Sequence, residues 1–106
     1  MGTRTVVIAN DPRAYRETIA VAIGMLCPDM RVIVADPDKL DEFVAEYAPQ
    51  VVLCSHLTPL VEAQVPTWAV LYPDGSENAL IHIDGRQARV PHIELNGIVN
   101  LVDRRT

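Results

Sequence analysis

Aromatic residues are scarce in this sequence, with one Trp, one Phe and three Tyr among 106 residues. The core must therefore be built from Val, Ile, Leu and Ala, and branched aliphatics in short runs favour a central sheet. Lysine occurs once, at Lys39, against eight arginines, a bias that reads as genome base composition rather than mechanism. The net charge of −5 offers no basic patch for a phosphate backbone, which argues against a nucleic-acid partner. Arg104 and Arg105 sit at the extreme C-terminus and read as a fraying tail. No apolar run approaches the ~20 residues needed to cross a bilayer, so no membrane partner is expected. The opening Met1-Gly2-Thr3-Arg4-Thr5 leads straight into a strand and leaves no room for a signal peptide. Val6 stands where a myristoylation start would carry Ser or Thr.

Cysteine is equally sparse. Cys27 and Cys54 show neither CxxC nor Cys/His ligand spacing, so buried thiols in a reducing cytoplasm are expected, without disulfide, metal or cofactor. No glycine-rich loop follows any strand-like run, which leaves nucleotide binding unsupported.

What is present has the composition of one globular domain. The 49% hydrophobic content lies well above the disordered range, and a chain of this length buries roughly two-thirds of its unfolded surface. Thr5 to Ala9 is a branched apolar run, followed by Asn10-Asp11-Pro12, where Asp11 suits a helix N-cap and Pro12 the first helical position. Tyr15, Ile19, Ile23 and Leu26, with Ala22 between them, then form one helical face, which Pro28 ends. Met30 to Ala35 repeats the strand signal, Asp36-Pro37-Asp38 repeats the cap signal, and Leu40, Phe43, Val44 and Tyr47 give a second helical stripe. Val51 to Cys54 is the third strand. A short helix within Leu57 to Gln64 and a fourth strand, Thr67 to Tyr72, follow, and Pro73 to Ser76 is a turn cluster.

Strand and helix alternate three times, which predicts a parallel sheet with right-handed crossovers. The pattern then changes. Residues 79–83 and 87–90 flank Asp84-Gly85-Arg86, a hairpin signal because its turn favours positive φ. Leu95, Ile98, Val99 and Val102 form a last helical stripe. The expected fold is α/β and three-layered. Four parallel strands are followed by an antiparallel hairpin and a final helix, all in one domain of residues 1–106.

The segment Ala48-Pro49-Gln50-Val51-Val52-Leu53-Cys54-Ser55-His56-Leu57-Thr58-Pro59 resembles the third strand of response-regulator receiver domains. There an apolar run ends in the phosphorylated aspartate and a proline follows. Over roughly residues 4–72 the chain is similar to that flavodoxin-like family, and the resemblance implies the order 2-1-3-4 for the four parallel strands. The resemblance implies a magnesium site at Asn10 and Asp11, a hydroxyl residue at Tyr72 and a lysine ending a fifth strand. Ser55 replaces the aspartate, Asn10 replaces one of two acids, and the lysine position is empty. Phosphoryl transfer to a protein needs a carboxylate nucleophile, magnesium and a cation acting together, so the usual chemistry is not expected.

The other candidates for chemistry are weak. Ser55 and His56 are chain neighbours at a strand end and point in opposite directions, so Ser55 is expected to satisfy loop amides or cap the next helix. His56, His82 and His92 have no ligand spacing. Asp36, Asp38, Asp41, Glu42 and Glu46 read as a solvated acidic face. The leading expectation is a non-catalytic, receiver-like interaction or regulatory module of a bacterial cytoplasm. It would have an unidentified protein partner or form a homodimer through Leu80, Ile81, Ile83 and Val90 on the hairpin. The alternative is a small-molecule sensor or minor enzyme using the cleft at the strand C-termini, which would gather Asn10, Asp11, Asp36, Ser55, His56 and Tyr72.

Overall fold

Every strand predicted from branched apolar runs forms, and all of them join one sheet. The computed structural model describes residues 4–71, 78–91 and 93–103. Tyr72, the turn at Pro73 to Ser76, His92, the first three residues and Arg104 to Thr106 lie outside the described residues. The strands are β1 (Arg4–Ala9), β2 (Met30–Val34), β3 (Val51–Cys54), β4 (Thr67–Leu71), β5 (Asn78–Ile83) and β6 (Arg86–Pro91). The helices are α1 (Arg13–Leu26), α2 (Leu40–Tyr47), α3 (Pro59–Gln64) and α4 (Leu95–Val102), with a 3-10 turn at Pro37–Lys39 before α2. The order in the sheet is β2-β1-β3-β4-β5-β6. The first four strands pair parallel, and β5 and β6 continue the sheet antiparallel.

The side-chain alternation of the strands divides the core in two. Val6, Ile8, Val51, Leu53, Ala69 and Leu71 pack with Ile19 and Ile23 of α1 and with Ile98, Val99, Leu101 and Val102 of α4. Val7, Ala9, Val52, Cys54, Trp68 and Val70 pack on the other face with Leu40 and Val44 of α2 and Val61 of α3. Helices thus cover both faces, which is why β1 and β3 carry continuous apolar runs rather than alternating ones.

Several helix boundaries depart from the sequence reading. Pro12 is itself the cap residue of α1, Arg13 is the first helical residue, and the Asp11–Pro12 peptide is cis. Asp11 is not the cap residue of α1, whereas Asp36 does stand at the cap position of the 3-10 turn, without a side-chain hydrogen bond to it. The buried face of α1 is also rotated. Arg16, Ile19 and Ile23 are buried, whereas Tyr15 is 42% and Leu26 61% exposed. Ile19 and Ile23 of the expected stripe are buried, but its ends Tyr15 and Leu26 turn outward and Arg16 takes the place at the first turn, because it buries its stem while its head reaches charged partners. In α2, Leu40 and Val44 are buried, and half-buried Phe43 and Tyr47 stack at 5.8 Å with Arg31 over the Tyr47 ring. In α4, Ile98, Val99 and Val102 are buried as expected, while Leu95 is 39% exposed.

Thr58 caps α3. Its Oγ1 accepts the Val61 N–H at 3.2 Å and donates to Asp41 Oδ1 at 2.6 Å, tying α3 to α2. The hairpin turn is Asp84-Gly85, with φ of 47° and 87°, the double positive φ of a type I′ turn. Arg86 already belongs to β6.

Candidate functional site

The carboxyl ends of β1, β2 and β3 are adjacent in the sheet, so Asn10, Asp11, Asp36 and Ser55 come together there. The residue that joins them is Arg16, on the first turns of α1 and only 5% exposed. Its Nη1 donates to the Asn10 carbonyl oxygen and to Asp11 Oδ1, each at 3.3 Å, and its Nη2 donates to Asp36 Oδ1 at 3.2 Å. The side chains of Asp11 and Asp36 are 54% and 65% exposed, so the ion pairs have a buried cationic half and two wet anionic halves. Ser55 Oγ accepts the Asp11 N–H at 2.7 Å. That is the loop-amide role expected of it, and the helix cap belongs to Thr58 instead.

Little reactive chemistry is available in this arrangement. Ser55 is buried while His56 is exposed, and no hydrogen bond joins them among the described residues. The Cys54 thiol ends β3 in the apolar layer, and burial pushes its pKa up to about 12, so it stays a protonated, inert thiol. Among the described residues no group of three or more His, Cys, Asp or Glu is placed to hold a metal ion. Asn10 is fully buried, and its amide finds no hydrogen-bond partner among the described residues. Tyr72, the sixth residue expected in this cleft, lies outside the described residues.

Arg16 escaped the sequence reading. The available signal was a lone arginine three residues before buried Ile19 and five after Asp11, inside an otherwise apolar stripe. Trp68 escaped it too. Trp68 is fully buried, and its ring stacks on His82 at 4.9 Å and 5°. Nε2 of His82 accepts the Gly85 N–H at 3.3 Å, so this histidine is locally bonded, as expected.

The hairpin residues proposed as an interface are divided between the two faces. Ile81, Ile83 and Val90 pack against the cluster that contains α4, and Leu80 packs against the opposite one. All four are half-buried. The last helix therefore supplies, within the chain, much of the cover that the hairpin needs on one side.

A second concave feature lies at the opposite end of the sheet. Arg4, Gln50, Pro66, Thr67, Ile83, Asp84 and Leu101 line a cavity of about 140 Å³ there. Gln50 Oε1 accepts the Thr5 N–H at 2.6 Å, the Gln50 N–H donates to the Thr5 carbonyl at 3.0 Å, and the Thr67 N–H donates to the Gln50 carbonyl at 3.2 Å. The Asp84 N–H donates to the Pro66 carbonyl at 3.1 Å, which fastens the hairpin turn beside it. Comparison of the chain with protein-family models, with curated proteins and with solved structures gave no match.

Proposed function

We propose that the chain is a non-catalytic, receiver-like α/β module that acts through protein contacts. The observation that carries this reading is the commitment of the strand-end groups. Arg16 holds one oxygen of each acid, and the hydroxyl in the acceptor place, that of Ser55, is bonded to the Asp11 amide. The Ser55 hydroxyl and the Asp11 carboxylate would have to be released from these bonds before they could act as nucleophile or metal ligand. The same commitment disfavours a sensor or minor enzyme in this cleft.

Incubation with acetyl phosphate and magnesium tests the reading. The mass is expected to stay unchanged, and a stoichiometric, hydroxylamine-labile adduct mapped to Asp11 would overturn it.

The module is further proposed to pair with a second copy. Val21, Met25 and Leu26 on the later turns of α1 are 63%, 76% and 61% exposed, more apolar surface than a solvated helix needs to carry. Symmetric dimers are the commonest assemblies. Sedimentation over a concentration series should show a dimer that Met25→Glu dissociates. A strict monomer would leave a different protein as partner. Dissociation by Ile83→Lys or Val90→Lys with the fold retained would place the contact on the hairpin instead.

A further inference from the structure

We propose that the cleft at the amino end of the parallel strands binds a small aliphatic α-amino acid, its carboxylate on Arg4 and its ammonium group on Asp84. The first ground is charge. The ion pairs among the described residues join Arg13 to Glu17 and Arg16 to Asp11 and Asp36. Arg4 and Asp84 line one cavity and pair neither with each other nor with any other described residue. A cleft that presents one group of each sign disfavours a dianion, which Asp84 repels, and a diamine, which Arg4 repels. A zwitterion answers both charges at once.

The second ground is shape. Ile83, Leu101 and Pro66 give the cleft an apolar wall, while Thr67 and Gln50 add a hydroxyl and an amide. Polar and apolar surface line the cleft in nearly equal shares, so it can meet an alkyl group on one side and charged groups on the other. The cleft is partly open to solvent, and its volume of about 140 Å³, close to the ~150 Å³ that accommodates a benzene-sized guest, leaves room for a small alkyl group. Alanine to valine is the size range that follows.

The third ground is preorganisation. The lining residues come from β1, the start of β3, β4, the hairpin turn and α4, and backbone hydrogen bonds tie several of them together. Walls fixed before binding lose little entropy when the ligand arrives. The site lies far in the fold from the strand ends that Arg16 closes, so it stands or falls independently of the reading above.

Amide NMR titration of the intact chain with L-valine tests the proposal. Saturable shifts are expected at Gln50, Thr67, Asp84 and Leu101, with Asn10 and Ser55 unmoved. Isobutylamine, which lacks the carboxylate, and isovalerate, which lacks the ammonium group, should each bind about tenfold more weakly or worse, the scale of one lost charge-assisted hydrogen bond. Asp84→Asn keeps a residue that tolerates positive φ and should weaken valine by a similar factor while sparing isovalerate. Arg4→Gln should weaken valine and spare isobutylamine. Absence of saturable shifts with L-alanine and L-valine at millimolar concentration would overturn the proposal. Equal binding of isobutylamine and valine would also overturn it, and so would shifts centred on Asn10 and Ser55. The analogue comparison uses the unaltered chain, so it decides the matter even if a variant fails to fold.

Discussion

The two ends of the parallel strands treat charge in opposite ways. At the carboxyl end, two exposed acids and a backbone carbonyl converge on one buried guanidinium, and a serine hydroxyl is held by a loop amide. At the amino end, Arg4 and Asp84 share a cavity without pairing. Open α/β sheets ordinarily take ligands at the carboxyl ends of their strands, where loops diverge and helix N-termini point inward. In this chain a side chain from α1 occupies that place. The departure of β5 and β6 from the parallel pattern then creates a concavity at the other end, because the Asp84-Gly85 turn comes down beside the start of β4. The change of connectivity places this concavity at the end of the sheet opposite the usual one.

The sharpest way to break this contrast is to remove the guanidinium. Arg16→Met keeps an apolar stem of similar length and leaves Asp11, Asp36 and the Asn10 carbonyl without their donor. Breaking a buried ion pair costs ~3–5 kcal/mol, but these carboxylates are half in water, so a loss of about 2 kcal/mol is expected. Urea denaturation measures it. Arg16→Lys should recover only part of the loss, because a single ammonium cannot span three acceptors as the planar fork does. A loss below about 0.5 kcal/mol for Arg16→Met would mean that solvent, not the arginine, sets the strand ends, since changes of that size are ordinary at surfaces.

The buried thiol at the same end gives a pH test. Folding holds Cys54 protonated up to about 12, whereas an unfolded chain releases that proton near the ordinary thiol value. Between those limits the folded state binds more protons than the unfolded state, so stability must fall as pH rises. The slope is at most about 1.4 kcal/mol per pH unit from this group. Cys54→Ala should flatten the alkaline limb in denaturation curves taken at increasing pH, and an unchanged limb would show that other groups govern it. The native thiol should also resist alkylation until the chain unfolds.

Thr58→Ala is expected to cost about 1 kcal/mol, the usual worth of an N-cap. The same substitution also cuts the bond to Asp41 that links α3 to α2. Asp41→Ala alone should cost less, because the cap to Val61 survives. Equal losses from the two changes would show that the bridge rather than the cap holds α3.

How much of this was legible in the sequence depends on the distance along the chain over which the information lies. The strands and the Asp84-Gly85 turn are local facts, written in branched runs and positive-φ chemistry, whereas the cap of α3, expected at Ser55 as one alternative, falls on Thr58. The gathering of Asn10, Asp11, Asp36 and Ser55 follows from the strand order that the receiver-like resemblance implies, since alternation itself gives only a parallel sheet with right-handed crossovers. Arg16 was not legible, because its two acids lie 5 and 20 residues away and tertiary contact decides which residue takes the first turn of the buried face. The cap signals at Asp11 and Asp36 meet the same limit: Asp36 does stand at the cap position of the 3-10 turn, yet neither carboxylate makes a capping hydrogen bond. A carboxylate before a proline has the sequence of a cap, and a guanidinium from a neighbouring turn took it. The amino-end cavity was least legible of all. Its lining comes from widely separated segments, and only the antiparallel return of β5 against β4 makes them neighbours.

The smallest expected effect falls at the open end and is the most direct check on the contrast. Arg4→Gln and Asp84→Asn each remove a charge that no described residue answers, so neither deletion leaves a partner behind. Stability should move by no more than about 0.5 kcal/mol in either case, the range of unpaired surface positions. Asparagine is the informative choice at Asp84, where φ is 47°, because it tolerates the left-handed region and leaves the turn geometry in place. The same denaturation experiment that reads Arg16→Met reads these variants, so the two ends are compared on one scale. If Asp84→Asn or Arg4→Gln cost as much as Arg16→Met, their charges would be doing structural work after all. The amino end would then be a second closed end rather than a vacant one.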